Sequence, residues 1–294
     1  MFNVYQGSKF TFNASALGLG GVLRTGGRDI VVPSLASVAL APTGGEGSSL
    51  VENYDRDGIA FTRAESRVAG YEISTDFFAT YSDIFITNLR VLDTVKVALL
   101  QATITSTRHI DADESQFELH AMYRGIQVGD DEIEPELNID ICARYTYEEL
   151  TSAMKEAIPQ AELKEAELPD ATSDAAKLLK VIKNRDDIRT TIVKNLQHRK
   201  GKSGAIALKS NQLIVRNFGS VHFGELLVKP GRRRVNLMRF ELDPKQQLPK
   251  QRAVAFSELQ SLDVQSLETL TSGSTSGSLT VGSGDGNGSP IWPR

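Results

Sequence analysis

Sulfur is nearly absent from the 294 residues: Cys142 is the single cysteine. No intrachain disulfide can therefore form, and the fold has to be held by its own core, as suits a reducing compartment. Within the run NIDICARY this lone thiol reads as a small buried hydrophobe in an apolar strand. No stretch of about 18 consecutive apolar residues occurs, so no helical membrane span is expected. The opening MFNVYQGSKF has no charged segment leading into an apolar one, and no secretory signal is read there. The expectation is a soluble cytoplasmic protein, with secretion independent of an N-terminal signal as the alternative. Charge of one sign is missing too. Thirty-three Lys and Arg face 37 Asp and Glu, a net charge of −4, so no general attraction to nucleic acid or to an anionic membrane follows.

Catalytic signatures are equally scarce. The four histidines, His109, His120, His198 and His222, fall in no HExxH or His-x3-His arrangement, which argues against zinc. No G-x-S-x-G lies in a strand–turn–helix context. The glycine-rich stretch PTGGEGSS (residues 42–49) lacks the lysine and the following helix that a phosphate cradle needs. It reads as a connection between strands.

What the sequence has is β structure. FTFNASALGL, DIVVPSLASVAL, GIAFTRAESRVAGYEI, DIFITNLRVLDTVKVALLQATITS and ELHAMYRGIQV mix β-branched and aromatic residues with stretches of period two. Gly, Asp and Ser punctuate them. In DIFITNLRVL, Ile84, Ile86 and Asn88 share one face while Leu89 and Val91 break the alternation, which suggests a bulge or a strand buried on both sides. The fold class expected is mainly β, sandwich or barrel-like, with an inserted helical segment, α+β overall.

Four regions follow in order. Residues 1–145 form a β-rich domain, and 146–200 a helical insertion or cap. Thr146 and Glu149 have capping-box spacing at the start of one helix, and a longer helix is expected over about 174–199, with Ile188, Ile192 and Leu196 near one face. Residues 201–245 return as strands of the same unit, with a hairpin at KPG turning on Gly231. Residues 246–294 read as a short helix and a Gly/Ser-rich tail, whose apolar tip, Ile291 and Trp292, is the candidate partner-binding element.

One metal candidate stands out. Asn53, Asp55 and Asp57 alternate ahead of Gly58 in NYDRDG, like the first half of a calcium loop. The expected bidentate glutamate is absent, because Ala64 stands at that position, and an Asp-Gly turn explains the segment as well. The acidic runs DADES and GDDEIEPE read as solvated loops. The basic runs HRKGK (198–202) and KPGRRR (229–234) would form a phosphate-binding patch only if the fold joined them, and they lack stacking aromatics. His222 and Glu225, three apart on a strand, are expected on opposite faces.

ASALGLGG, VPSLASVALAPTGGEG, NLRVLDTV and FGELLVKPGRRRVNLMRFEL together resemble an uncharacterised family of bacterial β-rich proteins. The likeness runs over roughly residues 1–145 and 204–243. It implies one β fold unit on either side of the helices, and it carries over no activity and no catalytic residue. The function expected is that of a non-catalytic structural, self-assembling or protein-binding protein, partnered by itself or by another protein. No cofactor is expected beyond the calcium candidate. The alternatives are a hydrolase-like enzyme with a site gathered from loops, and a calcium-dependent binding module.

Overall fold

Period-two burial is the dominant pattern in the computed structural model, which describes residues 9–25, 28–156, 188–201, 204–243 and 278–290. In chain order the elements are β1 (Phe10–Thr25), β2 (Arg28–Ala39), β3 (Gly45–Arg56), β4 (Ile59–Ser74), β5 (Phe77–Val91), β6 (Val95–His109), β7 (Gln116–Val128) and β8 (Asp131–Leu137). Two helices follow, α1 (Asp140–Arg144) and α2 (Tyr147–Glu156). The remaining strands are β9 (Ile188–Thr191), β10 (Val193–Lys200), β11 (Ile206–Lys209), β12 (Gln212–Val215), β13 (Gly219–Lys229), β14 (Arg232–Leu242) and β15 (Ser278–Pro290).

The strands form two antiparallel sheets. One runs β11-β12-β13-β14-β15-β1-β2, with β9 also on β13, and the other runs β10-β8-β7-β6-β5-β4-β3. One main core lies between them, from Leu19, Leu23 and Val281 of the first sheet to Ile84, Ile86, Val97 and Ile126 of the second. Hairpin turns follow their residues. Asp57 and Gly58 (φ 53° and 77°) are the two-residue loop between Arg56 and Ile59, a primed turn needing two positive φ values. Pro230 and Gly231 (φ 63°) join Lys229 to Arg232 as expected. The stretch 40–44 carries the chain from β2 in one sheet to β3 in the other. There Gly44 has φ 86°, and a Cβ on it would meet the Gly70 carbonyl oxygen at 2.7 Å.

Several expectations need correction. The helix expected up to residue 199 is replaced by β9 and β10 from residue 188 onward. Ile188, Thr190, Thr191, Ile192 and Val193 are β-branched, and pairing with β13 and β8 overrides their near-helical spacing. The helical content described is thus minor, α1 and α2, and residues 174–187 lie outside the described residues. At α2 the capping box forms: the Glu149 N–H donates to Thr146 Oγ1 at 3.1 Å, and the Thr146 N–H donates to Glu149 Oε2 at 2.8 Å. Cys142 is buried as expected but on α1 instead of a strand, and burial pushes its thiol up to about 11.

The third correction is the largest. Part of the Gly/Ser-rich tail is β15, hydrogen-bonded between β1 and β14. After Leu279 and Val281 its glycines alternate with polar residues, so from Gly284 to Gly288 one face has no side chains. On that face a Cβ at Gly284 would sit 2.9 Å from Ile84 Cδ1, and one at Gly286 3.1 Å from Thr80 Oγ1. The sheets approach there because sheet two supplies the bulk. The short helix expected near 259–270, and Ile291 and Trp292, lie outside the described residues.

Both sheets also bend along one transverse row. In the second sheet Asn53, Asn88 and Gly125 have φ of 54°, 54° and 61°, with Thr62 and Ala98 between them on β4 and β6. Register is identical on both sides of the row, so no residue is inserted. Each strand instead changes phase: β5 buries Ile84 and Ile86 before Asn88, then Leu89 and Val91 after it. The broken alternation in DIFITNLRVL is therefore neither a bulge nor double burial. In the first sheet Ala36, Gly282 and Gly224 have φ of 49°, 64° and 59°, with Gly18 and Leu237 between them.

Candidate functional site

The bend of the second sheet leaves an open depression of about 590 Å³ on its outer side. Asn53, Thr62, Asn88, Ala98 and Gly125 line its floor, with Asp55, Arg90, Lys96 and Gln127 beside them. Asn88 Nδ2 donates to Thr62 Oγ1 at 3.0 Å. Two candidate calcium residues, Asn53 and Asp55, thus border this depression, and Asp55 lies 3.7 Å from Arg90. Asp57 is instead part of the hairpin turn. Among the described residues no group of three or more His, Cys, Asp or Glu side chains is placed to hold a metal ion.

His222 and Glu225 meet on the same face, against the sequence expectation. Gly224 between them lies in the left-handed region, so β13 buries Val221 and Phe223 before it and Leu226 and Val228 after it. Arg239 on β14 binds Glu225 through Nε and Nη2 at 2.8 and 2.7 Å, and also pairs with Glu241. His222 Nε2 lies 3.2 Å from Ser220 Oγ and 3.5 Å from Glu241 Oε2. A Ser–His–acid relay needs the serine on one ring nitrogen and the acid on the other, whereas both converge here on Nε2. Burial and then the Arg239 charge hold the His222 pKa below its usual value.

The centre of the first sheet carries a network that the sequence did not reveal. Asp285 on β15 is 1% exposed. Its Oδ1 accepts from the Ser15 N–H at 2.8 Å and from the Ser15 hydroxyl at 2.7 Å. Its Oδ2 accepts from Arg234 Nη2 at 3.0 Å and from Arg232. Burial alone would raise the Asp285 pKa, but the two arginines and Ser15 outweigh it and hold it low. The period-two spacing of GSGDGNG was the available signal.

The charge runs are largely spent inside the fold. The acidic GDDEIEPE run forms β8 and its turn instead of a solvated loop, and it faces the basic β10: Lys194–Glu136 at 2.8 Å and Arg199–Glu132 at 3.4 Å. Of KPGRRR, Arg232 and Arg234 hold Asp285. Arg233 is buried over the Phe117 ring at 4.8 Å, donating to the Tyr145 carbonyl at 3.0 Å. His198 to Lys200 of the first basic run and Arg232 to Arg234 of the second accordingly sit in different sheets.

Five strands lie at the edges of the two sheets among the described residues. Among the described residues β2 pairs only with β1 and β3 only with β4, each over 12 residues. Val31 on β2 and Leu50 on β3 are 59% and 50% exposed. On the other side the second sheet ends at β10 and the first at β11 and at β9, which pairs only with β13. No helix among the described residues is long and apolar enough to cross a membrane.

A protein of two open antiparallel sheets with exposed edges is the class that this fold defines. By sequence the chain belongs to the family described as "Domain of unknown function (DUF8256)", which matches residues 10–229, from β1 to the end of β13. No curated protein and no solved structure matches it.

Proposed function

We propose that the protein is a non-catalytic β-sandwich that acts by associating with itself or with another protein through its strand edges. The observation that supports this most is the length and exposure of β2 and β3. Twelve-residue edges carrying exposed Val31 and Leu50 offer unpaired backbone groups for adding a strand, the usual route of edge-mediated association. Pro33 blunts β2 but not β3, because proline removes one backbone donor.

Static light scattering of the full chain over a wide concentration range tests this. The expected mass rises above the monomer with concentration, and Leu50→Lys, which places a charge on the edge, reduces the rise. A monomer at every concentration sinks self-association. The Ile291–Trp292 tip is a second candidate contact, and its test is truncation after Pro290, because a cut at residue 271 would also remove β15.

A further inference from the structure

The two edges of the seven-stranded sheet differ, and each matches the other. β3 (GEGSSLVENYDR) carries Glu46, Glu52 and Asp55 against Arg56. β10 (VKNLQHRK) carries Lys194, Arg199 and Lys200 and no acid. The Lys194 and Arg199 side chains are 67% and 64% exposed even while paired with β8. Acidic β8 backs basic β10, while β4 behind acidic β3 is charge-balanced, with Arg63 and Arg67 against Glu65 and Glu72. Placing β10 beside β3 sets a basic strand against an acidic one, and cross-strand pairs of opposite charge are favourable where like charges are not.

The backbone is compatible with this. Along the bent row β3, β5 and β7 carry a left-handed residue and β4 and β6 do not, while the adjacent β8 and β10 both lack one. A strand added outside β3 therefore needs no left-handed residue. β10 has no positive φ. A second copy of β3, added parallel and in register, would oppose Asn53 to Asn53 and carboxylates to carboxylates.

We infer that copies of this chain join head to tail, β10 of one adding to β3 of the next; this rests on the self-association proposed above. All neighbours in the sheet are antiparallel, so the two edge strands of seven point the same way. Simple translation would pair them parallel, and a two-fold screw along the sheet antiparallel. Such a contact uses two different surfaces, so it propagates as a filament or closes as a ring and does not stop at a dimer.

The test uses two charge-reversed full-length variants, Glu46→Lys/Glu52→Lys on β3 and Lys194→Glu/Lys200→Glu on β10, all on strands at the sheet's edges. Each alone is expected to associate about tenfold more weakly than the native chain, because like charges then meet at the junction. Mixed one to one they should assemble again, since each supplies the edge the other has lost. If both variants assemble as the native chain does, or if the mixture stays apart while the native chain assembles, the head-to-tail contact is overturned and self-association stands. If the native chain never assembles, both fall. Should either variant fail to fold, native assembly in low and in about 0.5 M salt decides: it should weaken about tenfold as the charges are screened, and salt-independent assembly overturns the contact.

Discussion

The two sheets bend by the same backbone device and finish it differently. In each, alternate strands carry a left-handed residue on a shared row, and the strands between carry none on that row. In the first sheet the intervening positions are Gly18 and Leu237, both buried. In the second they are Thr62 and Ala98, both exposed, and the row opens as a depression. The bend is thus a property of backbone φ. Whether it leaves a concave surface depends on the side chains set between the bent strands. Asn, which tolerates the left-handed region, holds two of three such positions in the open row, while glycine holds two of three in the closed one.

Four substitutions and two pH profiles would break or sharpen this contrast. Asp285→Ala should be the most damaging, by about 3–5 kcal/mol in denaturant unfolding, because it strands two arginines on a buried site. Gly282→Val combines a positive φ with a Cβ 2.7 Å from Leu237 Cδ1. It should cost roughly 2–4 kcal/mol, since a β-branched residue resists that conformation and the space is filled. In the open row Asn88→Val should cost only about 1–2 kcal/mol, mainly from the strain of the left-handed conformation, and Asn88→Gly less, since glycine carries no such strain and only the exposed hydrogen bond to Thr62 is lost. Equal losses for Gly282→Val and Asn88→Val would mean that the two rows are packed alike.

The smallest effects are those of pH. The Asp285 pKa lies below its unfolded value, so its contribution is complete above about pH 4 and is lost as pH falls through the folded value. Acid unfolding should therefore be steep, and Asp285→Asn should flatten its lower end. The His222 pKa is also lowered, so stability falls as pH drops below about 6.5 toward the folded value, where the imidazole must take a proton in a half-buried site beside Arg239. His222→Gln should remove that slope from melting curves recorded between about pH 7 and pH 5.

Local chemistry was legible in the sequence where one or two residues decide it. The Pro-Gly hairpin, the Asp-Gly turn and the Thr146–Glu149 capping box all form as their residues dictate. Asn88 disturbed the alternation of DIFITNLRVL visibly, but a conformational switch and an inserted residue leave the same trace in a single strand. Only the neighbouring strands, bending in register, tell them apart. His222 and Glu225 failed for the same cause, since strict alternation does not survive a left-handed Gly224. β15 was hidden because Gly and Ser there signal close approach of two sheets, a relation between distant segments, whereas composition alone reads as a linker. The Asp285 network depends on that approach and was hidden with it.

Amide hydrogen exchange of the full chain, compared between dilute and concentrated solution at low salt, probes the proposed junction most directly. Head-to-tail addition predicts that amides of β3 and of β10 slow together as concentration rises, while those of β5 and β6 at the sheet's centre stay unchanged. Unchanged exchange in β3 and β10 at every concentration, or slowing in β3 alone, would contradict it.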